Sequence, residues 1–367
     1  MNVSECRNLK NTLETEIRRS SNVFIIGHNN PDFDSIGSAV GLYTLARNYR
    51  KKAYIIVNDD ATEIEPGVKR IIDENRGDIP FITNSEFLEL KKDKSLVIIT
   101  DTNKDYMISI NDYLKDINKI IVIDHHEEDK NTIDTDKKFI FTDTSSASEI
   151  VGRILTTSKV KYSKEVANFL LAGISLDTKR FKQNTNSKTH DVAEKLIDHG
   201  ADIDQVNHLF LEEFASAKRV NNLVFTDNFT KLLKFSEDSL SPIQISFTLN
   251  RNEPKMIYQR EDFAKAADKM LKFEGIDASF ALGFVNPNTV HISARSGKRV
   301  DVSKILKEVK GECGGTAHSA GGRVVCDDLL KVEQEIIDKV NIGVEDEEEE
   351  IIEEPKIIKI KKINRKV

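Results

Sequence analysis

Short apolar runs rich in isoleucine and valine recur through the first part of the chain, at residues 23–26, 53–57, 81–82, 96–100 and 120–123. Patterns of helical period separate them: residues 35–49, with Ser35 as N-cap and Ile36, Val40 and Tyr43 on one face, then 65–74, then a helix near Glu86. A run without polar interruption belongs to a strand buried on both faces. Such runs alternating with helices predict an α/β fold, a parallel sheet with helices on both faces. Residues 1–20 precede it as an amphipathic helix carrying Leu9, Leu13 and Ile17. Further helices are predicted over 146–157, 163–174 and 189–200, the last closed by Gly200. A longer helical stretch, 210–234, leads to a second domain that begins near Pro242. That domain reads as a strand at 243–247, a helix at 263–273, a hairpin of 278–285 and 289–294 turning at Asn286-Pro287-Asn288, and helices at 302–309 and 332–340. The glycine-dense segment 311–323 reads as a loop whose backbone closely approaches a ligand. An acidic block at 345–350 and a basic one at 356–366 give the tail, 342–367, the character of disorder.

The predicted strands end in polar chemistry. The first stops at Gly27 and is followed by His28, Asp32 and Asp34, with Asn30 and Pro31 marking a turn. The run at 96–100 ends in Asp101, and the run at 120–123 ends in Asp124, His125 and His126. Asp177 stands where the helix after residue 163 passes into a loop. In an open α/β sheet the carboxyl ends of the strands share one edge, which is where ligands bind. Four carboxylates (Asp32, Asp34, Asp101, Asp177) and two imidazoles (His28, His125), with His126 beside them, are too many for one structural zinc. They suit two divalent ions of the manganese type with one carboxylate bridging, a pair that activates water and polarises a phosphoryl group.

Composition narrows the partners. At 367 residues the chain has room for two domains, and a net charge of −7 offers no electrostatic footprint for duplex DNA. Cys6, Cys313 and Cys326 are widely spaced, which predicts neither a disulfide framework nor a zinc knuckle and fits a reducing, cytoplasmic setting. No apolar run approaches the roughly 18 residues of a membrane span, and the charged N-terminus does not read as a signal peptide.

The segments His28-Asn29-Asn30-Pro31-Asp32-Phe33-Asp34-Ser35, Asp101-Thr102-Asn103, Asp124-His125-His126 and Asp177-Thr178 resemble the four motifs of the DHH phosphoesterases. Arg295-Ser296 and the stretch 314–322 resemble the signature of their accessory DHHA1 domain. The resemblance covers roughly residues 20 to 340 and implies an active site in the cleft between the two domains. It divides the chain into an N-terminal helix (1–20), a DHH catalytic domain (21–210), a linker helix (211–241), a DHHA1 substrate-binding domain (242–341) and the charged tail (342–367). It implies His28, Asp32 and Asp101 on one manganese, and Asp34, Asp101, His125 and Asp177 on the other, with Asp101 bridging. Asp124 would orient a neighbouring ligand. His126 would meet the scissile phosphate or protonate the leaving 3′ oxygen, making His126 and Asp101 the catalytic pair. Arg295, Ser296, Gly314, Gly315 and His318 would hold the base and distal phosphate. Phe33 between the two aspartates, and the sequence Asp177-Thr178-Lys179-Arg180-Phe181 followed by Thr185-Asn186-Ser187-Lys188-Thr189, look most like cyclic-di-AMP phosphodiesterases of the GdpP type. The expected activity is manganese-dependent hydrolysis of cyclic di-AMP to pApA by a two-metal-activated water. Cleavage of short linear oligonucleotides or of pAp, a nucleotide-binding regulator without catalysis, and a pyrophosphatase are the alternatives. The expected partners are a small nucleotide and, as an open option, a second copy in a homodimer; neither duplex DNA nor a membrane is expected.

Overall fold

The computed structural model describes residues 1–58, 64, 66–225, 233–235, 243–249, 258–297 and 299–343. The expected start of the second domain at Pro242 and the tail beyond Gly343 lie outside the described residues. The chain divides into two compact units, Met1–Glu212 and Glu213–Val367. No helix among the described residues is long and apolar enough to cross a membrane.

The first unit runs α1 (Val3–Arg19), β1 (Val23–Ile26), α2 (Phe33–Asn48), β2 (Ala53–Ile56), α3 (Pro66–Asn75), β3 (Phe81–Ile82), α4 (Asn84–Leu90) and β4 (Leu96–Thr100). It continues with β5 (Ile120–Asp124), β6 (Lys138–Ile140), α5 (Ala147–Thr156), α6 (Lys164–Asp177), α7 (Ser187–Asp198) and α8 (Ile203–Leu209). The strands form one six-stranded sheet in the order β3-β2-β1-β4-β5-β6, with every neighbour parallel. The winding therefore reverses between β1 and β4. Alternate strand residues serve opposite faces, as the pleat requires. Ile25, Ile55, Ile98 and Ile121 join a core with residues of α1, α2, α5, α6 and α7. Phe24, Ile56, Val97 and Val122 pack on the other side with Phe87 of α4 and with Ile108 and Ile110 from the β4–β5 connection. Both faces are covered, so neither can be polar, and the runs read as unbroken apolar stretches. Leu9, Leu13 and Ile17 of α1 belong to the first of these cores, each fully buried and contributing roughly 1.5–3 kcal/mol.

The second unit contains α9 (Phe214–Phe225), β7 (Leu233–Phe235), β8 (Ile243–Leu249), α10 (Arg260–Met270), β9 (Ala278–Asn286), β10 (Thr289–Ser296), α11 (Val302–Lys307), β11 (Glu312–Thr316), β12 (Ser319–Val325) and α12 (Leu329–Gly343). Its six strands lie in the order β11-β12-β10-β9-β8-β7; β8 and β9 are parallel and the other neighbours antiparallel. Phe280, Leu282 and Ile292 face α11 and α12, while Ala281 faces a smaller cluster built on α9 and α10.

Three local expectations are corrected. The N-cap of α2 is Asp32, not Ser35: its Oδ1 accepts the N–H groups of Asp34 (2.9 Å) and Ser35 (3.0 Å), so the cap stands three residues earlier than expected. Of the helix expected over 210–234, α9 holds Phe214–Phe225, residues 226–232 lie outside the described residues, and Leu233–Phe235 is a strand paired antiparallel with Ile243–Ile245, a case of sheet pairing overriding helical spacing. The glycine-dense segment is not a loop but the hairpin of β11 and β12. Its glycines allow backbones to meet each other: a Cβ on Gly322 would lie 2.6 Å from Glu312 O, and Gly315 takes φ +140°. The short edge strand β6, opened by an exposed lysine, was not foreseen.

Candidate metal centre

His28, Asp101 and the Asp124–His126 segment leave the carboxyl ends of β1, β4 and β5, and the β1/β4 pair is where the sheet reverses its winding. That crevice is the ligand-binding position of open α/β sheets. Asp32 and Asp34 arrive on the first turn of α2, and Asp177 is the last residue of α6. Among the described residues, three groups of donors converge with ligand atoms within 4.8 Å of one another: His28, Asp32 and Asp101; Asp34, His125 and Asp177; and Asp101 and His125 with Asp124 and His126.

Asp101 stands between the first two groups. One of its oxygens is 3.4 Å from His28 Nε2 and the other is 3.4 Å from His125 Nε2. His28 Nε2 also lies 3.7 Å from Asp32 Oδ2, and His125 Nε2 lies 3.2 Å from Asp177 Oδ2 and 3.8 Å from Asp34 Oδ2. Asp101 adopts φ +61°, a left-handed conformation that L-residues other than glycine, asparagine and aspartate avoid, and its N–H is tied to Ile123 O at 3.1 Å. Strained aspartate at a strand end is typical of functional positions.

Asp34 is the most tightly held group. Its Oδ1 accepts from the Ser148 N–H and its Oδ2 from the Ala147 N–H, both at 2.7 Å, so the N-terminus of α5 is aimed at this carboxylate. Close packing makes this geometry possible: α2 lies on α6 at Gly37, where a Cβ would sit 2.4 Å from Phe169 O, and a Cβ on Gly173 would sit 2.8 Å from Asp34 Oδ1. Asp124 is fully buried and orients its neighbours, its Oδ1 accepting from the His125 N–H at 2.8 Å and pairing with His126 Nδ1 at 2.9 Å. The His126 ring is half-exposed and its backbone carbonyl is held by Asn103 Nδ2 at 2.9 Å.

The electrostatics are those of a crowded acidic cluster. Burial, then the charges of Asp101, Asp177 and Asp32, push Asp34 well above the usual carboxylate range. Burial and the Asp101 charge push Asp177 up to about 7. Burial would raise Asp101 as well, but the His125 and His28 imidazoles, each 3.4 Å away, outweigh it and hold the group well below the usual range. Burial opposes a charged His28, yet hydrogen bonds to Asp101 and Asp32 and their charges carry it up to about 10. The hydrogen bond with Asp124 pushes His126 up to about 9. So much buried negative charge is costly without cations. His125 Nε2 makes the same point: it is buried, close to three carboxylates, and has hydrogen-bond geometry to no partner. A donor atom left bare among oxygen ligands fits a divalent cation, and the His/Asp set fits manganese or a similar ion.

The residues expected to hold the substrate lie in the second unit. Arg295 Nε is 3.2 Å from Asp268 Oδ1, and its Nη1 donates to Ala294 O at 3.0 Å. Ser296 donates through Oγ to Ala317 O (3.1 Å) and through its N–H to His318 O (3.1 Å). Gly314 and Gly315 are in β11, and His318 is in the exposed turn between β11 and β12, beside Ser319, which pairs across the sheet with Arg295. Sequence reasoning missed the Ala147 and Ser148 amides, since any residue offers an N–H. It also missed Lys104, buried and donating to Glu127 O at 2.9 Å beneath the histidine segment. Arg180 is stacked over the Phe210 ring, its guanidinium 5.6 Å from the ring centroid.

A family model for the N-terminal domain of the DHH family matches residues 22–174, and a DHHA1 domain model matches residues 253–341. The chain is 33% identical over 316 residues to the cyclic-di-AMP phosphodiesterase GdpP of Bacillus subtilis (strain 168), a match covering 83% of this chain and 45% of that protein. It thus spans about half the length of the curated relatives it matches. Among solved structures, an exopolyphosphatase-related protein from Bacteroides fragilis superposes with a TM-score of 0.71 at 21% identity, covering 90% of this chain and 96% of that one. The exonuclease RecJ bound to manganese gives a TM-score of 0.53 at 12% identity, covering 92% and 94%. With both domain models matched in sequence and the motif residues gathered at one sheet edge, the chain belongs to the DHH phosphoesterases that carry a DHHA1 domain.

Proposed function

We propose that this chain hydrolyses cyclic di-AMP to the linear dinucleotide pApA with manganese as cofactor. The observation that carries the reading is Asp101, with one carboxylate oxygen facing each of two His/Asp groups at the switch point of the sheet. His28, Asp32 and Asp101 would hold one ion, and Asp34, Asp101, His125 and Asp177 the other. When bound, such a pair lowers the pKa of water and neutralises charge on the phosphoryl oxygens. The rest of the chemistry falls to the chain. A water oxygen bonds to phosphorus as the bond to the 3′ oxygen breaks, leaving a 5′ phosphate and a 3′ hydroxyl. His126, its Nδ1 fixed by Asp124, presents Nε2 to the substrate and protonates the departing oxygen. Asp34 and its two amide donors keep the deeper ligands from shifting as charge develops. Arg295, Ser296, Gly314, Gly315 and His318 are the nucleotide contacts we assign to the second unit. The resemblance to a cyclic-di-AMP phosphodiesterase supports the choice of substrate.

The test is parallel hydrolysis of cyclic di-AMP, pApA and pAp with manganese at matched low concentrations. Preference for the cyclic substrate with accumulation of pApA supports the reading. Faster loss of pApA or pAp with cyclic di-AMP untouched replaces it with an oligoribonuclease.

A further inference from the structure

The segment that carries His126 has nothing apolar to anchor it. His126, Glu127, Glu128, Asp129 and Lys130 are all exposed, and the chain is buried again only at Ile133. An exposed polar loop moves on the nanosecond-to-microsecond scale unless its backbone is tied. A general acid works only with its proton in hydrogen-bond reach of one oxygen. The His126 ring is steadied by Asp124 at Nδ1 (2.9 Å) and by the His125 ring, whose centroid is 4.1 Å away. Both supports come from the strand side of the segment.

The tie on the other side is Lys104, just beyond the bridging Asp101 and only 9% exposed. Its Nζ donates to Glu127 O (2.9 Å) and Thr132 Oγ1 (3.4 Å) and pairs with Asp129 Oδ1 (3.0 Å), so the three donors of the ammonium all go to the span 127–132. Thr132 Oγ1 and Asp129 Oδ1 also accept the Asp129 and Asn131 N–H groups, each at 2.8 Å, so the groups that Lys104 grips are those that close the turn. Asn103, fully buried, adds Nδ2 contacts to His126 O (2.9 Å) and Glu127 O (3.5 Å). Behind them the backbones are joined by the Ile133 N–H to Asn103 O (2.8 Å) and the Asp105 N–H to Asn131 O (3.3 Å). Among the described residues the span has one further ion pair, Lys138 with Glu128 (3.0 Å), which is exposed enough to contribute little. Burying a lysine is costly unless its charge is paired and its donors are filled. Here the loop after His126 does both.

We infer that Lys104 is a positioning residue for the leaving-group proton: by holding Glu127 O it fixes the backbone next to His126, so that Nε2 meets the departing 3′ oxygen. The ammonium acts through the backbone, its donors being already taken. An acid out of place slows only those substrates whose leaving group needs a proton. The inference rests on the acid role proposed above for His126, and its test separates the two.

The full manganese-loaded chain is assayed on cyclic di-AMP and on its analogue with sulfur in place of each 3′ oxygen. A thiolate departs without a proton, so the analogue reports water attack and metal loading but not the acid. Lys104→Met keeps the length of the side chain and removes the ammonium. It should lower kcat on cyclic di-AMP about ten- to a hundredfold, with KM within about threefold and the sulfur analogue within about twofold of the parent. Asp129→Ala, an exposed change that leaves Lys104 in place, should give a smaller loss with the same selectivity. His126→Gln should show that selectivity in full. A manganese-dependent rise in melting temperature equal to that of the parent certifies that each variant is folded and loaded. Lys104→Met that cleaves cyclic di-AMP as the parent does, or that loses both substrates alike, overturns the positioning role; should it fail to fold, Asp129→Ala without a selective loss overturns it. Either result beside a selective loss in His126→Gln leaves the proposed function intact, whereas no selective loss in His126→Gln overturns the acid role itself. A parent that cleaves pApA but not cyclic di-AMP overturns the substrate reading alone, because the same comparison then runs on pApA and its 3′ sulfur analogue.

Discussion

Asp101 concentrates three demands in one residue: a bridging carboxylate, a left-handed backbone and burial. Asparagine satisfies the last two and fails the first. Asp101→Asn is therefore the clean variant. It should fold normally, lose turnover by roughly a hundred- to a thousandfold, and lose the manganese-dependent rise in melting temperature. Asp101→Ala should show the same loss with a further destabilisation of about 1 kcal/mol from the left-handed backbone. Parent-like turnover in Asp101→Asn would rule out the bridging role. The candidate ligands were legible because most follow directly on an apolar run, where a polar residue is conspicuous. The backbone donors that fix Asp34 were not, because an amide carries no sequence signature. Asp32 was read only as a ligand, although its side chain also caps α2, since Ser35 offered an equally good capping residue two positions past the true start.

Among the elements, α5 and α6 decide how well Asp34 is placed. A Cβ on Gly173 of α6 would come 2.2 Å from Ser148 Oγ as well as 2.8 Å from Asp34 Oδ1, so both the helix contact and the carboxylate would have to yield. Gly173→Ala should cost about 1–3 kcal/mol in denaturant unfolding and also weaken manganese binding. Gly77, with nothing within 4 Å of a Cβ, is the control, and Gly77→Ala should change neither quantity. Equal effects of the two substitutions would mean that α6 does not press on the site. The buried strands of this unit were legible as unbroken apolar runs, and its amphipathic helices from periodicity. The hairpin of β11 and β12 was not, because glycine removes the side chains from which a strand is recognised. β6 was hidden by its length and its polar opening residue.

For the whole molecule, the cores matter more than the motifs. The apolar clusters of the first unit draw on residues before Glu213, and those of the second on residues after it. All six metal-ligand candidates belong to the first. A ligand stabilises only the body that binds it. Calorimetry of the full chain should therefore show two transitions, of which manganese raises one, and Asp101→Asn should abolish that shift. A single transition raised as a whole would mean that the units unfold as one. The alternation of strands and helices revealed a parallel sheet, but not the order β3-β2-β1-β4-β5-β6, since nothing local specifies which neighbour a strand chooses.

The grip of α5 on Asp34 has a kinetic consequence. Asp34 is 1% exposed with both oxygens engaged by amides, whereas Asp32, in the other donor group, is 34% exposed. The half of the centre containing Asp32 can open by moving one side chain, while the half containing Asp34 opens only if a helix end retreats. Stripping the loaded protein with a chelator should thus proceed in a fast phase and a slow one, and Gly173→Ala should speed only the slow phase. Loss of both ions in one exponential would mean that the two halves are equally accessible.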